Sequence, residues 1–304
     1  MASTRFPADR GLGARMVLTM FLLGLLYVVF IGALTALGTS FLVVLLIAGG
    51  LLFAQFAFSD RIALFSMNAH EVSAEEAPDL HGTVDRLCAL ADMAKPRVAI
   101  ADTDLPNAFA TGRDPDHAVV AVTTGLLRRL DPPQLEAVLA HELSHVAHRD
   151  VMVMTIASFL GIAAGLLTRF AFYSGLFGGV GGRRRNDQGP PVVLIILVVS
   201  VVVYAVSFLL TRALSRYREL SADRGAAVLT GRPSTLAAAL VKISGEMSRI
   251  PTRDLRSAEP LNAFFFAPAV APGFSISSLF STHPPLERRL EQLARMEADL
   301  GRPS

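Results

Sequence analysis

From Met16 to Ser59 the chain carries not one charged side chain. A helix needs roughly 20 apolar residues to cross the hydrocarbon core of a bilayer, so this run has room for two crossings. In lipid every backbone N–H and C=O must be satisfied within the segment, so each crossing must be helical. Gly38-Thr39-Ser40 offers a tight turn, which predicts a transmembrane hairpin of 16–37 and 41–58. A cleaved signal peptide is the competing reading. It is disfavoured because the apolar run is too long and a second follows almost at once. Hydrophobic residues make up 52% of the chain, and they gather in such runs rather than spreading through one core.

A second apolar pair follows. Val151–Thr168 is uncharged, meets Arg169 and fades into a Gly-rich stretch; Pro191–Thr211 is dense in Val, Ile and Leu. Arg5, Arg10 and Arg15 precede the first span, and Arg212, Arg216, Arg218 and Arg224 follow the last. By the excess of basic residues on cytoplasmic flanks, both ends read as cytoplasmic. The Arg183-Arg184-Arg185 loop votes the other way, so 151–211 either crosses twice or dips into the membrane without crossing.

Between the pairs lies a soluble stretch. Residues 59–150 hold 8 basic and 15 acidic side chains, a net of −7, which excludes a nucleic-acid surface. Cys88 is the single cysteine, so no intrachain disulfide forms. Apolar residues at helical spacing (Leu80, Val84, Leu87, Leu90) predict a helix over 75–93, and Pro96–Ala101 and Ala118–Val122 read as short strands. Asn107–Gly112 is a third strand, either at the edge of the sheet or inside it. Asp131-Pro132-Pro133 starts a helix. Beyond the second pair come helices at 212–230 and 234–248, a loop rich in Pro, Phe and Ser over 250–282, and a terminal helix at 285–299. The fold class is α+β, mostly α, with a small sheet and about four transmembrane helices. Its boundaries are 1–60 (first hairpin), 61–150, 151–211 (second hairpin) and 212–304.

On the helix that starts at Asp131 sits His141-Glu142-Leu143-Ser144-His145. Residues four apart share a helix face, so both imidazoles reach one metal ion, and Glu142 stands beside the metal's water as general base. A catalytic zinc needs a third protein ligand and one open position. His148 lies on the same helix, but one straight helix rarely delivers three ligands; a polar cap at the helix end is its other reading. Glu219, in Arg218-Glu219-Leu220-Ser221-Ala222-Asp223, is the stronger candidate, with an ion pair to a nearby arginine as the alternative. Asp223 shares its face and could accept a hydrogen bond from a ligand histidine. For Glu219 to meet His141 and His145, the intervening segments must both cross or both fail to cross, and 151–168 and 191–211 form such a pair.

These residues resemble the HtpX family of membrane metalloproteases, relatives of the CAAX prenyl endopeptidases. The resemblance spans nearly the whole chain and rests on four segments. They are Asn107-Ala108-Phe109-Ala110-Thr111-Gly112, the HELSH helix, the Glu219 and Asp223 pair, and Ser281-Thr282-His283-Pro284-Pro285 followed by Arg289. It implies a zincin-like (gluzincin) domain and one Zn2+ per subunit held by His141, His145 and Glu219, with Glu142 as base. It also implies a multi-pass protein of the bacterial inner membrane whose active site faces the cytoplasm, and whose substrates are damaged or misassembled membrane proteins. Asn107, Ala108, Phe109 and Ala110 resemble the edge strand that holds the substrate chain. His283 either donates to the oxyanion of the attacked carbonyl or holds the Pro-Pro turn, and Arg289 either supports that step or pairs with Asp223 or Glu219.

Two other functions compete. A prenyl-protein endopeptidase would need more spans to enclose a lipidated substrate. A non-catalytic zinc-binding adaptor would have no use for Glu142, because a structural site closes its fourth position. Substrate sequence preference and oligomeric state are not written in the residues.

Overall fold

The computed structural model describes residues 9–36, 41–149, 153–154, 190–249 and 284–300. The expected crossing over 151–182, apart from Val153 and Met154, the loop over 250–282 and His283 lie outside these. The chain divides into two compact units, one of Met1–Leu12, Phe58–Met152 and Ser215–Ser304, the other of Gly13–Ala57 and Val153–Leu214.

The second unit is built from α1 (Arg10–Ala36), α2 (Phe41–Ala57) and the first part of a later helix. Leu23, Phe30 and Val203 form a small buried cluster there, while Val17, Phe21, Val28, Val198 and Val202 stay exposed. Among the described residues two stretches, Arg10–Ala33 and Leu194–Thr230, are long and apolar enough to cross a membrane. They match two of the four spans expected from the sequence; α2, at 17 residues, is at the short end of the spanning range.

The first unit begins with α3 (Ser59–Ser66) and β1 (Ala69–Glu71). Next come α4 (Pro78–Ala91), β2 (Arg97–Ala101), β3 (Ala108–Thr111), a 3-10 turn at Pro115–His117, β4 (Val119–Thr123), α5 (Thr124–Arg129) and α6 (Pro132–Ala147). The later elements are α7 (Pro190–Thr230), α8 (Pro233–Arg249) and α9 (Leu286–Leu300). The sequence reading broke α7 at residue 212, where arginines begin. The helix runs on, because a change from apolar to charged residues moves a helix face into water without interrupting its hydrogen bonds.

The sheet order is β1-β2-β4-β3. β2 and β4 are parallel, with Arg97 opposite Val119, and β1 and β3 flank them antiparallel. β4 is buried along its whole length, as suits a central strand covered on both faces. On one face Val98, Val120 and Val122 pack with Val84 and Leu87 of α4, with α6 and with Leu236, Leu240 and Ile243 of α8. On the other, Ala99, Phe109, Val119 and Ala121 pack on Ala63 and Met67.

α6 lies at the centre of the larger core. Its start is fixed by a capping box: the Asp131 carboxylate accepts from the Gln134 N–H at 3.0 Å, and the Asp131 N–H donates back to the Gln134 side chain at 3.4 Å. Pro132 and Pro133 occupy the first turn, where no backbone donor is needed. In α4 the core positions are Leu80, Val84, Leu87, Cys88 and Ala91, while Leu90, assigned to that face by spacing, is 44% exposed. It sits at the rim of the apolar arc, which Cys88 and Ala91 complete from the other side.

Thr123 fixes the start of β3. Its hydroxyl donates to the Leu105 carbonyl at 2.7 Å and accepts from the Asn107 N–H at 2.9 Å. At the far end of the strand Gly112 has φ +125, and a Cβ there would meet the His117 carbonyl oxygen at 2.5 Å, so the turn requires glycine.

α3 is tied to the sheet by an ion pair from Asp60 to Arg97, which also pairs with Glu71. Burial works to raise the Asp60 pKa, and the Arg97 hydrogen bond and charge outweigh it, leaving the carboxyl below its ordinary value. Because the folded-state pKa is the lower one, this stabilisation is present above about pH 4 and is lost as pH falls through the folded value. Asp60→Asn is expected to lower unfolding stability by about 1 kcal/mol at pH 7. Thermal unfolding at several pH values should show the gap to wild type closing below about pH 4; a gap of constant size would remove the charge from the explanation.

Candidate metal centre

α6 presents His141, Glu142 and His145 in its buried second half, and α7 brings Glu219 to them. The two Nε2 atoms are 3.2 Å apart, with the rings nearly perpendicular at 86°. Glu219 Oε2 lies 3.6 Å from His141 Nε2, and its Oε1 lies 3.5 Å from His145 Nε2. A tetrahedral ion with bonds of about 2.0–2.1 Å sets its ligand atoms about 3.3–3.4 Å apart, close to this triangle. Among the described residues these three are the group of His, Cys, Asp and Glu side chains that could hold a metal.

The charge of the surroundings fits a divalent cation as well. Glu142, Glu219 and Asp223 are three buried carboxylates, and Arg289 is the buried cation among them. With neutral imidazoles that leaves two negative charges in excess. A buried uncompensated charge is costly, and a dication neutralises the set.

Asp223 stands one turn beyond Glu219 and faces the other side of His141, with Oδ1 3.0 Å from Nδ1. A proton held between them leaves the Nε2 lone pair for a metal. Arg289, from α9, grips Asp223 with two parallel bonds, Nε to Oδ2 at 2.8 Å and a terminal nitrogen to Oδ1 at 2.7 Å. Its other terminal nitrogen is 3.8 Å from Glu219 Oε2. Of the two readings for Arg289, the structure places it in ion pairs with both carboxylates. Burial would raise the Asp223 pKa, but Arg289 overrides it and holds the carboxyl low. Burial would likewise keep His141 neutral, but the Asp223 and Glu219 carboxylates lift its pKa to about 9, a measure of how strongly the site favours positive charge at that ring.

Glu142 differs from both neighbours. Burial raises its pKa, and the Ala110 backbone N–H and the adjacent imidazoles work against that rise without cancelling it. Ala110 belongs to β3, which lies at the edge of the sheet among the described strands. The Thr123 N–H donates to the Asn107 carbonyl at 2.9 Å. By antiparallel alternation, Ala108 and Ala110 then turn their backbone groups away from β4. Asn107 is anchored to Thr123, and the Phe109 ring is buried on the α3 face. So of the four residues singled out in this strand, two face the open edge and two secure it.

His148 is the C-cap of α6, its Nδ1 bonded to the Ser144 carbonyl at 2.8 Å. Two residues gained no role at the site from the sequence. Arg218 reaches within 3.5 Å of His145 Nδ1. Asp9 caps α1 through the Leu12 N–H at 2.8 Å and accepts from the Ser221 hydroxyl at 2.8 Å, tying down the helix that bears Glu219. An Asp three residues ahead of a helix position is a readable capping signal, but its bond to Ser221 spans 212 residues.

A profile of Peptidase family M48 matches residues 74–297. "Protease HtpX homolog 1" of Streptomyces coelicolor is 60% identical over 298 residues, covering 98% of this chain and 97% of that one. "Protease HtpX homolog" of Moorella thermoacetica is 55% identical over 294 residues, covering 96% and 97%. "Protease HtpX homolog 2" of Methanosarcina mazei is 52% identical over 296 residues, covering 97% and 99%. The crystal structure of S. mikatae Ste24p is similar in fold, with a TM-score of 0.51 at 17% identity over 94% of this chain and 67% of that one.

Asp223→Asn is expected to weaken divalent-metal affinity by about 10–100-fold in a competition titration with a chelating dye. Arg289→Met, which removes the bidentate partner of the buried Asp223 and leaves it only His141 among the described residues, should cost on the order of 3–5 kcal/mol in unfolding experiments. A near-neutral Arg289→Met would mean that the bidentate pair does not hold the site together.

Proposed function

The chain belongs to peptidase family M48, and from that premise we propose that it is a membrane-embedded zinc endopeptidase acting on damaged or misassembled membrane proteins. It is a metalloprotease. The observation that carries the finer reading is the triangle of His141, His145 and Glu219 with Glu142 adjoining it. His141 and His145 through Nε2, and Glu219 through its carboxylate, would hold one zinc ion, the metal favoured by two imidazoles and one carboxylate in a tetrahedral arrangement.

When bound, the ion supplies Lewis acidity that lowers the pKa of a water and polarises the scissile carbonyl. Glu142 would take the proton of the attacking water as the new C–O bond forms at the expense of the carbonyl π bond, and would return it to the amine, so that the C–N bond then breaks and the carbonyl is restored. Burial raises its pKa, so it holds a proton more readily than an exposed carboxylate does. Asp223 orients His141, and Arg289 keeps Asp223 ionised. The outward backbone groups of Ala108 and the Ala110 carbonyl would pair with an extended substrate strand, fixing the chain with little demand on its sequence, while the Ala110 N–H faces Glu142. His283 remains a candidate for a donor to the developing oxyanion.

The membrane part of the proposal has α1, α2 and the apolar part of α7 crossing the bilayer, with 151–182 supplying the fourth crossing or a partial one. The exposed apolar side chains of α1 and α7 support it, as do the arginines at both cytoplasmic flanks. The active site then faces the cytoplasm, and the protein resides in the bacterial inner membrane. Segments 61–150 and 212–304 together form the catalytic domain, and 1–60 and 151–211 form its anchors.

Purified full-length protein loaded with zinc in detergent should cleave an unfolded model protein, and a chelator should abolish the cleavage reversibly. Glu142→Gln should lower kcat by roughly 10²–10⁴-fold with metal content unchanged, while Glu219→Ala should lose the metal itself. Full activity in Glu142→Gln would remove the assigned base; zinc binding without cleavage of any unfolded substrate would favour the adaptor.

A further inference from the structure

α3 has two apolar faces, and the fold uses one of them. At about 100° of rotation per residue, Asp60, Ala63, Leu64 and Met67 share the inner side. Ala63 and Met67 are buried against Ala99, Phe109, Val119 and Ala121, and Leu64 packs beside them. Phe58, Arg61, Ile62 and Phe65 fall within an arc of about 100° on the opposite side. Phe58 is 46% exposed, Ile62 48% and Phe65 88%, the last being the most exposed large apolar side chain among the described residues. The Arg61 guanidinium lies over the Phe58 ring at 5.8 Å.

What covers this face follows from where the chain comes from. α2 ends at Ala57, and Phe58 is the next residue, about 3.8 Å further along the backbone. If α2 crosses the bilayer, Phe58 emerges at the boundary between acyl chains and headgroups. A helix that presents three apolar side chains and one arginine there has the composition of one lying in the interface plane. The arginine stem runs along apolar surface while its head reaches a lipid phosphate.

We propose that α3 is an interfacial helix, its outer face of Phe58, Ile62 and Phe65 embedded in the cytoplasmic leaflet and Arg61 bound to anionic phospholipid. This rests on the proposed crossing by α2. It also narrows the substrate class. The inner face of α3 supports Phe109 of β3, and the Ser59 carbonyl accepts from the Thr111 hydroxyl at 3.5 Å. The open edge beside Glu142 is therefore borne by a helix that lies on the bilayer, and the favoured substrates are extended segments just emerging from the membrane.

The chain has no tryptophan, so Phe65→Trp introduces a sole indole that can be excited selectively over the tyrosines, and Leu46→Trp in α2 provides the companion probe. Each zinc-loaded full-length variant is reconstituted into phosphatidylethanolamine–phosphatidylglycerol vesicles containing lipids brominated at different acyl depths. Blue-shifted emission from the Phe65→Trp variant, quenched most by shallow bromines, is the expected result. Quenching of the Leu46→Trp probe alone overturns the interfacial helix and leaves the crossing intact. Quenching of neither overturns both, and blue-shifted emission from Phe65→Trp without bromine quenching shows the face covered by protein instead. For the substrate class, Phe65→Asp should raise KM for a vesicle-embedded substrate roughly tenfold, with kcat and cleavage of a detergent-solubilised unfolded protein unchanged. Equal loss on both substrates would overturn that part.

Discussion

Six ionisable side chains with almost no access to water meet where α6, α7 and α9 converge, and their electrostatics constrain the catalytic unit. Glu142, Glu219 and Asp223 could not remain ionised in such a place unaided, because desolvation pushes every carboxyl toward its neutral form. Arg289 answers part of this by gripping Asp223 with two parallel bonds, and His141, His145 and Glu219 are grouped so that they could hold a dication. The strong bond from α9 to α7 therefore serves the site as much as the fold. It lets Asp223 stay charged, and the charged carboxylate faces His141 Nδ1 at 3.0 Å. The same environment treats Glu142 differently: no guanidinium bond offsets its burial, and it is left with a raised proton affinity. Neighbouring carboxylates are thus given different tasks by their partners rather than by their residue type.

The parts legible in the sequence were those with a period. HELSH on an amphipathic helix announces a metal site because two imidazoles four residues apart share a face, and Asp131-Pro132-Pro133 announces the start of that helix. β2 and β4 were readable as short apolar runs between turn residues. What escaped is short or depends on distant partners. β1, with three residues, and α5, with six, are too brief to show a pattern. α3 was hidden because it has only eight residues and follows directly on the charge-free run, too short to show a pattern of its own. The unbroken course of α7 was missed because Arg212 looked like a boundary, although charge alone does not end a helix. Arg289 was named with two possible roles, and its ion pair with Asp223, 66 residues away, becomes visible only in the fold. Asp9 illustrates the limit further: its capping of α1 is local, and its hold on Ser221 is not.

β3 shows how much a site can depend on residues that do no chemistry. Asn107 and Thr123 pin one end, Gly112 turns the chain at the other, and Phe109 is sunk into the core behind the strand. The short strand between them is held straight from three directions while Ala108 and Ala110 keep their backbone groups turned outward. An edge strand left free is a liability for aggregation, and here its length of four residues limits that hazard.

The four-residue edge has a thermodynamic consequence. As the proposed acceptor of the substrate, it offers backbone pairing alone, and a folded protein has already committed its backbone to its own helices and sheets. Only a stretch that has come loose can supply the missing strand. The rate of cleavage then scales with the equilibrium population of the opened stretch, falling about tenfold for each 1.4 kcal/mol by which the target's local structure is stabilised. An enzyme built this way needs no recognition sequence to spare healthy proteins, because its selectivity is set by the local stability of the proteins around it.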